Sequence, residues 1–284
     1  MNNSLPVVLV HGFWHGSWCW APVAEQLAGH GIQSVAVDLE GHGLRSPRLS
    51  SRWARPFDAE AFATEPSPVR GVTASSAAAS LAETIRTIGA GRPCLVVAHS
   101  MGGVVATALA ELAPELVGGL VYVSALAPVS GMPAAFYGTC PESAGEKLFP
   151  LLAADPAVVG AARIDFGDPD RHGRIKEVFY NDVDDRTADA AIALLGPDGS
   201  VGIPDEALTV TARRYGSIPH AYVTCTRDNA IPLALQHRFI KEIDAVSASP
   251  TTVTELDSSH SPFLSQPAAL AAAIADMTAL PRTR

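Results

Sequence analysis

The stretch Leu95 to Leu109, LVVAHSMGGVVATAL, constrains the fold more than any other part of this chain. After Pro93, four or five apolar residues read as a buried strand. From Gly102 onward the apolar positions fall at helical spacing, with Val105, Ala108, Leu109 and Leu112 on one face. Ser100 sits at the bend between the two. A hydroxyl at a strand-to-helix corner is either a helix cap or a nucleophile, and the stretch alone does not choose between them. The run A-H-S-M-G is close to a G-x-S-x-G elbow, with Ala98 in the place of the first glycine. So tight a corner needs small residues two before and two after the serine, which Ala98 and Gly102 supply. The bend pushes the hydroxyl out over the carboxyl end of the strand, beside the free amides of the following helix.

The rest of the chain alternates in the way such a corner requires. Strand signals lie at 6–10, 33–37, 94–98, 118–126, 220–226 and 251–256, and helix signals at 20–28, 75–89, from Gly102 onward, and at 267–280. This order predicts an α/β protein with a mostly parallel central sheet covered by helices on both faces. With 284 residues, 48% of them hydrophobic, the chain can bury a large core. Between about 129 and 216 the strand signals vanish, and short helical pieces are broken by Pro, Gly and Asp. That change predicts a helical cap at 129–216, inserted into a core made of 1–128 and 217–284. A second irregular stretch, 44–73, is rich in Arg, Pro and Ser, and loops of such length are usually functional or disordered.

A serine hydroxyl is a weak nucleophile until a base takes its proton. Among nine histidines, His260 lies in LDSSHSPFLSQP, between the last strand and the closing helix. In a sheet of this topology that loop shares the carboxyl edge with Ser100; the alternative reading is a surface-loop histidine. The base in turn needs a carboxylate to hold its tautomer. Asp228, in YVTCTRDNAIP, lies just past the preceding strand at the same edge. It reads equally as a turn-former, since Asp-Asn ahead of a proline is turn chemistry. Asp257 competes, but it is too near His260 in sequence to approach the ring easily. The order Ser100, Asp228, His260 is nucleophile, acid, base. Donors for an oxyanion would be the amide of Met101, at the helix start, and that of Phe13, in the loop HGFW after the first strand, with Gly12 permitting its turn. His11 reads as structural. His15 stays open between packing and pocket wall. His99 reads as packing, turned away from the nucleophile, and Trp14, Trp18 and Trp20 as core and pocket wall.

Other chemistries lack their signals. There is no phosphate-binding or dinucleotide-binding glycine motif. The histidine pattern is read as holding no metal-binding pair, so neither a metal nor a cofactor is expected. Basic residues number 20 against 29 acidic ones, for a net charge of −9, with no basic block. Nucleic acid and anionic membrane surfaces are therefore disfavoured as partners, and a small molecule is favoured. Cys19, Cys94, Cys140 and Cys225 are widely and irregularly spaced and read as reduced thiols. Residues 1–10 lack the form of a signal peptide and no long apolar run occurs, so a cytoplasmic location without a membrane span is the default. Whether the chain pairs as a homodimer stays open.

Taken together, HGFWHGSWCW, AHSMGGVV, LVYVSALAP, VTCTRDNAIPLALQHRF and SSHSPFLSQP resemble the α/β-hydrolase superfamily in order and spacing. Within it the chain resembles the plant methylesterase and hydroxynitrile lyase group and its bacterial relatives. The resemblance implies an α/β-hydrolase fold with the cap inserted after the sixth strand. It also implies Ser100 as nucleophile, Asp228 as acid, His260 as base, and Phe13 and Met101 as oxyanion donors. The lyases of that group typically carry Thr at the position of Gly12 and Lys directly after the base, where this chain has Ser261. Both departures favour hydrolysis of a carboxylic ester, thioester or lactone of a small to medium hydrophobic metabolite. Relatives that use an Asp nucleophile are disfavoured by Ser100. Two other readings remain: a lyase, acyltransferase or cyclase on the same three residues, and a receptor-like binding protein with little turnover.

Overall fold

The computed structural model describes residues 5–278. The outer ends of the expected core ranges, 1–4 and 279–284, lie outside the described residues. Six strands form one sheet in the order β2-β1-β3-β4-β7-β8, and every neighbouring pair is parallel. They are β1 (Val7–Val10), β2 (Ser34–Val37), β3 (Cys94–His99), β4 (Val117–Val123), β7 (His220–Cys225) and β8 (Thr252–Leu256), with β5 (Ala161–Arg163) and β6 (Asp198–Ser200) forming a separate antiparallel pair.

The alternation of side chains along each strand explains why both faces are covered. Val8, Val10, Val96, Ala98, Leu120 and Tyr222 point to one face, where they meet the helices Ala74–Gly89, Gly102–Leu112 and Leu233–Val246. Val7, Leu9, Leu95, Val97, Val121 and Val223 point to the other, against Ala21–Gly29 and Pro267–Thr278. The helix Ala74–Gly89 starts at a reciprocal cap in which Thr73 and Ser76 satisfy each other's amides.

The segment 129–216 leaves the sheet after β4, its fourth strand in chain order, and returns at β7. This differs from the count of six strands that the resemblance implied. The segment is mainly short helices, among them His172–Phe179 and Asp185–Ala193, and it has its own apolar centre around Ile164, Phe166, Ile175 and Phe179. It also holds β5 and β6, which correct the expectation of a strand-free insertion. Each is three residues long, too short for an alternating pattern to show in sequence.

The stretch 44–73 is folded against that pair rather than loose. It carries the short helices Ser50–Trp53 and Ala59–Thr64. Arg163 on β5 has no exposed surface and faces Asp198 on β6. Its Nε and Nη2 donate to the two Asp198 oxygens, each at 2.7 Å. Its Nη1 donates to the carbonyls of Phe62 at 2.6 Å and Glu65 at 2.8 Å. One guanidinium thus spends its donors on joining the stretch to the insertion. Asp198→Ala would strip a buried cation of its counter-charge. The expected cost is about 3–5 kcal/mol, read from urea unfolding; a loss below about 1 kcal/mol would mean that water reaches Arg163.

Candidate active site

The corner between β3 and the helix Gly102–Leu112 is as sharp as its sequence requires. Ser100 adopts a φ of 53°, in the left-handed region that a side chain disfavours by about 1–2 kcal/mol. Backbone bonds hold it there: Ser100 N–H donates to Val123 at 3.3 Å, and its carbonyl accepts from Leu126 and Gly103, both at 3.0 Å. Gly102 permits the close passage of β1, because a Cβ there would come within 2.4 Å of the His11 carbonyl oxygen.

Three of the predicted residues meet at this corner. The Ser100 hydroxyl donates to His260 Nε2 at 2.9 Å. His260 Nδ1–H donates to Asp228 Oδ2 at 2.7 Å. The Asp228 side chain is fully buried and the His260 side chain nearly so. Asp228 combines the two roles that its sequence left open. Its Oδ1 closes the turn by accepting from the amides of Ala230 at 2.7 Å and Ile231 at 2.8 Å, while Oδ2 faces the histidine. Asp257 lies away from His260, exposed and paired with Arg227 and Thr226.

Two further groups belong to this arrangement. The Ser124 hydroxyl also donates to Asp228 Oδ2. Ser124 ends β4 with a φ of 38°, and a lone hydroxyl closing an apolar strand at the Ser100 edge was the available signal. His99 is more than packing. Its Nε2–H donates to the His260 carbonyl at 2.8 Å, and the two rings lie 4.5 Å apart.

The loop after β1 is pinned by histidines. His11 Nδ1–H donates to the Gly12 carbonyl at 2.7 Å, and His11 Nε2 accepts from the Leu39 amide at 3.1 Å. His15 Nδ1–H donates to the Phe13 carbonyl at 2.9 Å, and its Nε2 accepts from the Tyr180 hydroxyl at 2.9 Å. The amides of Phe13 and Met101 donate to no other group among the described residues. Gly12 has a different task from the one expected. The left-handed turn falls on Trp14, with a φ of 64°, whereas Gly12 allows contact: a Cβ there would lie 2.6 Å from Ser100 Cβ. His11 and His15 do form an H-x-x-x-H pair, contrary to the sequence reading. Both nitrogens of each are spent on protein hydrogen bonds, and no described group of three His, Cys, Asp or Glu residues is arranged for a metal ion.

Ser100 and His260 open into a cavity of about 390 Å³. Its walls are mainly apolar, with Trp14, Leu126, Leu148, Phe149, Phe179 and Leu235 among them. Glu146 and Asp205 add carboxylates, and no Lys or Arg lines it among the described residues. A hollow of about 460 Å³ beside Arg52, Trp53 and Phe57 contains none of these groups. Such an arrangement suits attack of an oxygen nucleophile on an uncharged electrophilic carbon in a mainly apolar site.

Burial, reinforced by neighbouring imidazoles, pushes His11 and His15 down to about 3 from the ordinary 6.5. Burial also drives His99 well below its ordinary value. The unfolded chain therefore binds protons below about pH 6.5 that the folded protein refuses. Stability is complete above that value and is lost on acidification, by about 1.4 kcal/mol per pH unit for each such group. The urea midpoint should fall steadily from about pH 7 to about pH 5. A flat midpoint would mean that these rings are hydrated in the folded protein.

The family model described as "Alpha/beta hydrolase family" matches residues 7–273. Methylesterase 7 of Arabidopsis thaliana is 26% identical over 97% of each chain. The pyrethroid hydrolase of Sphingobium wenxiniae is 27% identical over 97% of this chain and 88% of its own. Among solved structures, a pyrethroid hydrolase from Sphingobium faniae superposes with a TM-score of 0.75 at 23% identity, covering 98% of both chains. With the family model spanning nearly all of the sheet and its helices, this chain belongs to the α/β hydrolase family.

Proposed function

We propose that this protein is a serine hydrolase of small, largely apolar carboxylic esters. The observation that carries the reading is the continuous chain from Ser100 through His260 to Asp228, opening into an apolar cavity. Ser100 Oγ attacks the ester carbonyl as His260 Nε2 takes its proton. Asp228 keeps the Nδ1–H tautomer and stabilises the imidazolium. The developing oxyanion rests on the amides of Phe13 and Met101. His260 then hands its proton to the departing alcohol, leaving an acyl group on Ser100, and water enters by the same route in reverse. The methylesterase and pyrethroid hydrolase likenesses support an ester as substrate. The cavity's own charges support a neutral or cationic ester over one bearing a carboxylate, because Glu146 and Asp205 would repel a second anion.

Intact-mass labelling with a fluorophosphonate should add one adduct to the wild type and none to Ser100→Ala. In ester turnover, Ser100→Ala should lower kcat by on the order of 10⁶. Asp228→Asn should cost about 10⁴, and Asp257→Asn little. The reverse ranking of the two aspartates would reassign the acid. Products should be acid plus alcohol; a rearranged or cleaved skeleton without free acid would point to a lyase or cyclase on the same residues.

A further inference from the structure

Apart from the elbow after β3 that carries Ser100 and Met101, the groups assigned above to the reaction sit on three loops: 11–16 after β1, 226–231 after β7 and 257–262 after β8. One short run of the insertion, 177–182, is hydrogen-bonded to all three. The Tyr180 hydroxyl donates to His15 in the first. The Glu177 carbonyl accepts from Asn229 Nδ2 at 2.8 Å, and Asn181 Nδ2 donates to the Arg227 carbonyl at 3.0 Å, in the second. Asp182 Oδ2 accepts from the Ser259 amide at 3.0 Å, one residue before His260, in the third. The Phe179 carbonyl also accepts from the Ser259 hydroxyl at 3.3 Å.

We propose that Tyr180 and Asp182 are positioning residues for the reaction, Tyr180 setting, through His15, the peptide that follows the oxyanion donor Phe13, and Asp182 setting the base loop through Ser259. This rests on the ester-hydrolase reading. Chemistry fixes the direction of the first relay. The Phe13 carbonyl can only accept, so His15 must carry its proton on Nδ1. Its Nε2 is then a buried lone pair that needs a donor, and the Tyr180 phenol is that donor. Burial keeps His15 neutral, at about 3, and raises the phenol well above its ordinary value, so neither end ionises under working conditions. Remove the phenol and Nε2 is left a buried lone pair without a donor, so that only the Phe13 carbonyl opposes the other tautomer. The other tautomer sets a lone pair against the Phe13 carbonyl, and the peptides on either side of Phe13 tilt. An oxyanion donor acts only when aimed at the place where charge develops, so the loss appears in the transition state rather than in substrate binding.

The second relay is shorter. The Asp182 side chain is 6% exposed, and Oδ1 has no partner among the described residues. Its Oδ2 holds the Ser259 amide as a nearly dry, charge-assisted bond, with the Arg227 guanidinium 3.5 Å from the same oxygen. Asparagine at 182 keeps an acceptor there, whereas alanine does not.

The test uses the full chain, p-nitrophenyl butyrate turnover per fluorophosphonate-titrated site, and the rate of fluorophosphonate labelling. Tyr180→Phe should lower both kcat and the labelling rate about tenfold with KM within about twofold. His15→Asn places an amide N–H where Nδ1–H stood and needs no donor from Tyr180. In that background Tyr180→Phe should have no further effect on kcat. Asp182→Ala should lower kcat per site, and Asp182→Asn should restore most of it. A merely structural role would lower the melting temperature and the labelled fraction, leave kcat per labelled site unchanged, and make the double-variant effects additive. Unchanged kcat and labelling rate per site in Tyr180→Phe would overturn the first relay. If that variant does not fold, equal kcat for Asp182→Ala and wild type would overturn the second. A wild type that takes no label would instead overturn the hydrolase reading, and the proposal with it.

Discussion

A carboxylate with no exposed surface underlies the candidate site. Asp228 receives two backbone amides on one oxygen and a hydroxyl and an imidazole N–H on the other. Charge buried without such partners would cost more than most domains can spare. With four donors converging, the anion becomes an anchor: the turn after β7, the end of β4 and the ring of His260 are all located relative to one carboxyl group. The strand order makes this convergence available. Parallel strands deliver their carboxyl ends to one edge, so β3, β4, β7 and β8 each release a loop within reach of the others.

Much of this was legible in the chain, and the illegible parts share a cause. Strands and long helices announce themselves because burial repeats with a fixed period along them. Ser100, Asp228 and His260 meet because each stands just past such a strand, where topology brings the ends together. The expected strand at 118–126 overran its end at Val123, since Ala125 and Leu126 are as apolar as the strand itself. The positive φ of Ser124 turns the chain out of the strand and the Tyr222 hydroxyl takes up the Ala125 backbone, and no composition rule reports either. Ser124, His99 and Tyr180 act through contacts 104, 161 and 165 residues away in sequence. Their partners are not marked locally, and only Ser124, a lone hydroxyl closing an apolar strand, carries a local signal of its own. β5 and β6 were missed for a simpler reason, being shorter than the pattern that would reveal them.

The histidines show how a single residue type divides its labour by surroundings. His11, His15 and His99 are forced neutral by burial and each donates to a backbone carbonyl, His11 and His15 accepting a further hydrogen bond on the other nitrogen. His260 alone reaches both the serine and a carboxylate. The imidazole ring suits scaffolding for the same reason it suits catalysis: its two nitrogens can take opposite roles across a rigid spacer.

The contact at Gly12 carries a lesson for redesign. With the hydrogen at position 12 facing the nucleophile's own Cβ, the loop and the elbow are as close as two backbones can be. Any larger residue at 12 must push one of them away, and with it the amide of Phe13. Changing this protein's chemistry by grafting a threonine there is therefore a backbone problem before it is a side-chain problem. A designer would have to lengthen or re-seat the loop after β1 first, releasing the grip of His11 and His15, and the single-residue swap would be the last step rather than the first.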